Sequence, residues 1–297
     1  MKNLYIALFF VAISSSLIAQ NKDTKAADKL FSRYEYVSAA KEYQKLVDNG
    51  KADGYVYKQL ADTYYNMFNT ADAASWYAKA TETNQDAETY FRYAQMLKAN
   101  GKYEEANKQM NKFASMVPND LRAKSFKENP NYVPKILSKS VSYTVNSLPV
   151  SSDKSDFGAI MYDNTLYFTS ARNGARKNYG WNGEPFLDVY SSIMGDSGNF
   201  SEATPIASLN SKFHDGPVTI SSDGNTMFFS SDSFREGLFE KDKVNKLKLG
   251  RNNLYKATKS GDAWGNITPL PFNSKDFSLS NPSLSRDGKT LYFSSNM

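Results

Sequence analysis

The sequence predicts an α + β multidomain chain: an all-α solenoid of paired helices followed by an all-β propeller, incomplete within these residues. Three observations carry that expectation. A helical pattern superposes on itself at a period of 34 residues, then 33: Ala27, Ala61 and Ala94 share one column, Ala39, Ala73 and Ala106 a second, Tyr43, Tyr77 and Met110 a third, and Leu30, Tyr64 and Leu97 a fourth. From Asp156 onward, short β-branched and aromatic runs alternate with Gly, Asn, Asp and Ser, as antiparallel strands joined by tight turns do. Three of those β segments superpose in turn, with Thr165, Thr226 and Thr290 spaced by 61 and 64 residues.

Taken in order, the chain opens with a short basic head (Met1, Lys2, Asn3), an apolar run from Leu4 to Leu17 and a small residue, Ala19, before Gln20. This reads as a secretory signal peptide, residues 1–19. A membrane span needs roughly 20 apolar residues, and this run contains Ser14, Ser15 and Ser16. The 297 residues include no cysteine, which excludes a lipid-anchored cysteine and any disulfide framework. Two domains of roughly 100 to 200 residues fit the length. The aromatic content of 14% is that of a packed rather than a disordered chain.

Residues 20–118 carry the helical repeat, with small residues where helices approach closely and large ones between them. Units of this kind bury their faces by stacking. Tyr57, Leu60, Ala61 and Tyr64 on a first helix, Ala73, Tyr77 and Ala80 on a second, and Pro118 after the third unit resemble the tetratricopeptide pattern. The first helix of repeat one lacks the leading aromatic and is expected to be short.

Residues 119–145 read as a linker, broken by Pro130 and Pro134 and holding one short helix at Leu121 to Phe126. The net charge of +5 is spread along the chain, so nucleic-acid binding, which needs a concentrated basic face, is not expected. Two local basic runs remain. Lys112 to Lys139 reads as a solvated helix end, and Lys241 to Lys259 as a long surface loop.

In residues 146–297, DNTLYFTS (163–170), DGNTMFFSS (223–231) and DGKTLYFSS (287–295) each read as a turn followed by a strand, with Asp-Gly at 223 and 287 suited to positive φ. Phe157-Gly158, Gly216-Pro217 and Asn281-Pro282 lead into these turns. Asp188 to Ser191 matches Asn253 to Lys256, and Phe200 and Pro205 match Trp264 and Pro269. Each unit therefore holds about four strands, as a propeller blade does. The core from Pro282 to Ser295 resembles the TolB-type propeller repeat; the first unit departs from it, with Asp163-Asn164 in place of Asp-Gly. Propellers close with roughly four to eight blades, and two and a half are present here, so the chain is expected to be a fragment rather than one whose propeller is completed by another chain.

Catalytic constellations are not expected. His214 is the only histidine, which rules out a triad or a multi-histidine zinc site built from these residues. Gly174, Gly180 and Gly183 are followed by no helix, so they make no phosphate loop. Asp153, Asp156, Asp223 and Asp287 read as turn formers rather than acids or calcium ligands. No cofactor or metal is expected.

The order of signal peptide, tetratricopeptide repeats and TolB-like propeller resembles a family of exported cell-envelope proteins ending in an OmpA-like domain, including PorE-type components of type IX secretion and gliding machinery. The resemblance implies a non-enzymatic, periplasmic, outer-membrane-associated scaffold. It would bind envelope proteins, with peptidoglycan held by an OmpA-like domain beyond residue 297 and no membrane span after signal cleavage. Two alternatives are an exported peptidase whose propeller filters substrate for a hydrolase domain, which a Gly-x-Ser-x-Gly elbow further on would mark, and a soluble periplasmic carrier. In the repeats, the helix that stacks through Tyr57, Leu60, Ala61 and Tyr64 must turn Tyr55, Lys58, Asp62 and Tyr65 to another side. One repeat later the equivalents are Glu88, Phe91, Gln95 and Lys98. These eight form the expected protein-binding strip, unless the aromatics pack against repeat one or the linker helix.

Overall fold

The computed structural model describes residues 23–139 and 143–297; the signal peptide read at residues 1–19 lies outside them. The chain divides into two compact units, one running to Tyr143 and including Gly180–Asn182, the other formed by Thr144–Tyr179 and Gly183–Met297.

The described part of the first unit is built from α1 (Lys25–Ser32), α2 (Tyr36–Asp48), α3 (Gly54–Asn66), α4 (Thr70–Ala80), α5 (Ala87–Ala99), α6 (Tyr103–Met116), α7 (Leu121–Glu128) and α8 (Tyr132–Leu137). Helix starts are set locally. Asp53, Asp86 and Asp120 stand in extended backbone, and each carboxylate accepts a backbone N–H from the first turn of α3, α5 or α7, so one otherwise orphaned donor is satisfied at each. The stops repeat as well. Tyr34, Phe68 and Gly101 hold φ of 59°, 57° and 74°, one repeat apart, each just past the first helix of its unit. A left-handed residue there closes the last turn, and only the third repeat uses the glycine that does so without strain.

The aligned columns become the core. Ala27, Ala39, Tyr43, Val56 and Leu60 pack together between α1, α2 and α3, while Ala61, Ala73, Tyr77, Ala94, Met110 and Phe113 continue the core through α6. An alanine in each column lets two helices close on one another; the tyrosine fills the space beside them, and burying such a side chain contributes about 2–3 kcal/mol. The result is three tetratricopeptide-like helical hairpins, with α1 short as expected. The segment read as linker is more structured than its prolines imply. α7 runs two residues past the expected end and covers the last hairpin with Ala123 and Phe126, while Leu121 on its other side is 80% exposed. α8 was not expected, because Pro134 falls inside it; proline in a first turn removes no helical hydrogen bond. The basic run at 112–139 is therefore the end of α6 plus two further helices, not one helix end.

The second unit is a series of antiparallel sheets. β1 (Asp156–Tyr162), β2 (Thr165–Ser170), β3 (Asp188–Ile193) and β4 (Thr204–Pro205) form the first, in chain order. β5 (Asp215–Ile220), β6 (Thr226–Asp232), β9 (Asn252–Ser260) and β10 (Ala263–Pro269) form the second, and β11 (Leu279–Leu284) pairs with β12 (Leu291–Ser295). The two four-stranded sheets share a plan: Asp188 faces Ser170 as Asn253 faces Ser231, and Pro205 faces Tyr190 as Pro269 faces Tyr255. Between them Tyr167, Val189, Leu209, Val218, Met227, Phe229 and Tyr255 form one apolar core. Among the described residues the sheets close into no ring.

Two turns are copies of each other. Ser221 bonds back to Thr226, Asp223 accepts from the Ser221 hydroxyl (2.5 Å) and the Asn225 N–H (3.0 Å), and Gly224 takes φ 71°. Ser285, Asp287, Gly288, Lys289 and Thr290 repeat this bond for bond. In the first sheet the loop is two residues shorter, and Asp163 itself takes positive φ (49°). Each opening strand carries a bulge with a positive-φ residue, Gly158, Gly216 or Asn281. By register, Ile160, Thr219 and Ser283 are equivalent, so Asn281 matches Pro217 and the expected pairing of Asn281-Pro282 with Gly216-Pro217 is one residue out.

Where β4 stops, an amide takes over. Asn210 accepts the Val189 N–H (2.7 Å) and donates to its C=O (3.0 Å), and Asn273 does the same to Leu254 (3.0 and 2.9 Å). The run at 241–259 corrects the expectation of a long loop: it contains β7 (Glu240–Asp242), β8 (Leu247–Leu249) and most of β9. β7 and β8 pair as a separate hairpin inserted between β6 and β9.

Candidate protein-binding groove

The expected strip lies on α3 and α5, the first helices of repeats two and three, and Asp62 is its organising residue. Its carboxylate accepts the Tyr77 hydroxyl of α4 at 2.6 Å and Arg92 Nη1 of α5 at 3.0 Å through Oδ1, and Lys58 Nζ at 2.8 Å through Oδ2. Only 3% of Asp62 is exposed, so this member of the expected strip is buried rather than presented to a partner. It directly follows Ala61, the close-approach position, and the tyrosine one helix on reaches under it. Burial, with the neighbouring carboxylate adding to it, holds the Tyr77 phenol far above its ordinary pKa and keeps it a donor, and the same carboxylate raises that of Arg92 against the opposing effect of burial. Repeat one holds the same device in a more open form. The Tyr43 hydroxyl donates to Asp28 at 2.7 Å, again 15 residues apart, and Tyr55 adds a second phenol at 3.0 Å. Repeat three has Gln95 and Met110 in these columns and forms no such pair.

The other strip residues divide between exposure and packing. Tyr55 is 44% exposed. Tyr65 is half-buried beneath the Arg92 guanidinium, 5.1 Å from its ring centre. Phe91 packs at 5.2 Å on Phe113 of α6, and the Arg122 guanidinium of α7 covers it at 4.3 Å. Glu88 is paired with Arg122 (2.9 Å) and Arg92 (3.5 Å). Lys98 stands 5.2 Å over the Tyr132 ring of α8. Lys58, Asp62 and Tyr65 are thus joined to Glu88 by Arg92, Tyr55 bonds instead to Asp28 and Gln59, and Phe91, Gln95 and Lys98 line a further space.

That space is a cavity of about 690 Å³ between α5, α6, α7 and α8. Phe91, Met110, Phe126, Tyr132 and Ile136 supply apolar surface; Lys98, Arg122, Lys135 and Lys139 supply four cations around it. Sequence reasoning missed Arg92, Arg122 and Tyr132. Arg92 follows Glu88 by four residues on one helix face, which is a readable signal; Arg122 and Tyr132 sit in what was read as linker.

Elsewhere, His214 lies in the loop before β5, between the rings of Tyr179 (4.6 Å) and Phe186 (4.5 Å), its Nδ1 accepting the Leu187 N–H at 3.1 Å. Burial, with the Arg176 charge adding to it, lowers its pKa from 6.5 to about 4. Among the described residues no helix is long and apolar enough to cross a membrane.

The fold and groove define a helical-repeat unit joined to antiparallel sheets of repeated plan. No family model matches the chain, and no curated protein matches it. Solved structures similar to it are helical-repeat proteins. The first TPR domain of human RPAP3 is 24% identical, covering 39% of this chain and 94% of its own, with a TM-score of 0.33. The C-terminal part of a TPR repeat-containing protein from Cytophaga hutchinsonii is 20% identical (38% and 46% covered, TM-score 0.33), and the Yersinia enterocolitica type III secretion translocator chaperone SycD 21% (43% and 93%, TM-score 0.29). The tetratricopeptide-like character of the first unit stands on its own helices, columns and caps.

Proposed function

We propose that this chain is a non-enzymatic scaffold whose helical unit holds a segment of a partner protein in the cavity between α5 and α8. The observation that carries this is the pairing of an apolar floor (Phe91, Phe126, Tyr132, Ile136) with four surrounding cations in one open space. An extended or helical segment bearing an apolar anchor beside acidic side chains complements both, and aromatic anchors tend to dominate such binding. The order of signal-like leader, helical repeats and TolB-like sheets supports placing it in the periplasm at the outer membrane. There the sheets would belong to a propeller, and an OmpA-like domain beyond residue 297 would tether a secretion or gliding complex to peptidoglycan. The reading is tested by a photo-cross-linking residue in place of Gln95 in the full-length protein, in its native cell. A discrete envelope protein should be captured, and Lys98→Glu/Lys135→Glu should abolish the capture. An unchanged cross-linking pattern in the charge-reversed variant would overturn it.

A further inference from the structure

The β7–β8 hairpin has no counterpart in the plan that the two four-stranded sheets share. The equivalent connection of the first sheet, between β2 and β3, carries only an isolated bridge, Asn178 to Pro185. Its lysines, Lys241, Lys243, Lys246 and Lys248, are all exposed, and among the described residues none has a carboxylate within 4.0 Å. The hairpin's own acids are engaged elsewhere. Glu240 pairs with Arg251 at 2.7 Å, and Asp242 holds the turn by accepting the Asn245 N–H and side-chain amide at 2.9 Å each.

Three features set this arrangement apart from a merely solvated loop. Lys241 stands directly opposite Lys248 in the ladder, and like charges in that relation are destabilising unless an anion lies between them. Lys246 occupies a left-handed position (φ 54°) that Gly or Asn would fill with less strain. At the tip Val244 is 90% exposed, whereas Leu247, between Lys246 and Lys248, is half-buried. The base is held firmly enough to present them: Phe239 lies under Lys248 at 4.3 Å and against Phe234 at 5.9 Å, and Phe234 stacks on Phe213 at 5.2 Å.

We propose that this hairpin docks on an anionic phospholipid surface. Val244 enters the headgroup boundary while the lysine stems lie along it and their ammoniums reach lipid phosphates, the arrangement that apolar tips ringed by lysine adopt at a bilayer interface. Charge complementarity favours phosphate-rich lipid, and the exposed valine favours a bilayer over an acidic protein segment.

The test is co-sedimentation of the full chain with phosphatidylglycerol-rich vesicles, against vesicles of phosphatidylcholine alone and against soluble poly-glutamate. Binding should require the anionic lipid and fall with added salt. Lys241→Gln/Lys248→Gln should weaken it roughly 30-fold, at about fivefold per lysine, while the melting temperature holds or rises because the opposed pair is gone. Val244→Asp should weaken it further, and Lys112→Glu/Lys124→Glu on the helices should change it little. Equal vesicle binding by the hairpin variant and wild type, an equal loss in the helical control, no vesicle binding at all, or tighter binding to poly-glutamate would each overturn the proposal.

Discussion

Replacing Tyr77 by Phe removes one oxygen and leaves the packing of the ring in place, which isolates the hydrogen bond to Asp62. Both partners are buried, at 0% and 3% exposure, and the bond is 2.6 Å. A neutral donor on a buried carboxylate contributes about 1.5–3 kcal/mol. Water cannot readily replace it here, and Arg92 and Lys58 still hold the remaining lone pairs, so the expected cost is ~2 kcal/mol. Tyr43→Phe deletes the equivalent bond in repeat one (2.7 Å), but Asp28 is only half-buried and keeps the Tyr55 and Thr24 hydroxyls, at 3.0 and 2.7 Å. There the cost should be about 0.5–1 kcal/mol. For a unit of this size each kcal/mol lowers Tm by roughly 3–5 °C, giving about 6–10 °C for Tyr77→Phe and about 1.5–5 °C for Tyr43→Phe. Far-UV circular dichroism of the full chain during heating, dominated by helix signal, reads the difference, with urea midpoints as a check that the slope m is unchanged. Equal losses, or a greater loss for Tyr43→Phe, would refute the argument that burial of the acceptor sets the size of the effect.

Two further outcomes follow from the second unit. His214 is held at about 4 when folded against an unfolded value near 6.5, so the unfolded chain binds the extra proton between those values. Stability should therefore fall as pH drops from about 6.5 to 4, by at most ~3 kcal/mol. Burial raises Asp188 and Asp215, which titrate in the opposite sense at the acid end, so the slope is read as wild type minus His214→Asn; identical slopes would show that His214 is not buried neutral. Gly216→Ala should destabilise by about 2–4 kcal/mol, since φ is +100° and a Cβ would strike the Thr169 side chain. Gly261→Ala, at φ +59° with open space around it, should cost only about 1 kcal/mol by the same melting assay.

What the sequence disclosed followed from periodicity. The alanine and tyrosine columns announced the hairpins because three copies agree on where helices touch, and Ser-x-Asp-Gly announced its turns because every bond in them is local. What stayed hidden lacked a second copy or ran against residue type. Asp62 reads as surface because it is charged, and only its spacing of 15 from Tyr77, matched by Asp28 and Tyr43, pointed to a buried pair. The α8 helix was masked by Pro134, which tolerates a first turn, and the cavity it helps to form went with it. The β7–β8 strands are three residues each, too short for the single Leu-Lys-Leu alternation of β8 to mark a strand, and β7 carries no apolar side chain at all.

The side-chain amides of Asn210 and Asn273 have a bearing on the order in which the second unit assembles. Each one bonds both polar groups of a backbone residue at the end of the outer strand, where Ile206 or Leu270 donates to the same carbonyl, and each does so from the stretch of chain already leaving for the next sheet. A finished sheet thereby has its rim sealed by the thread that begins its successor, before that successor exists. A chain emerging from its N-terminus can complete one such module, shield its edge from stray strands and then add another. The latch also works in reverse: pulling on the connecting thread loads two hydrogen bonds in parallel at a single residue, so strain is held at Val189 or Leu254 before it enters the ladder beyond.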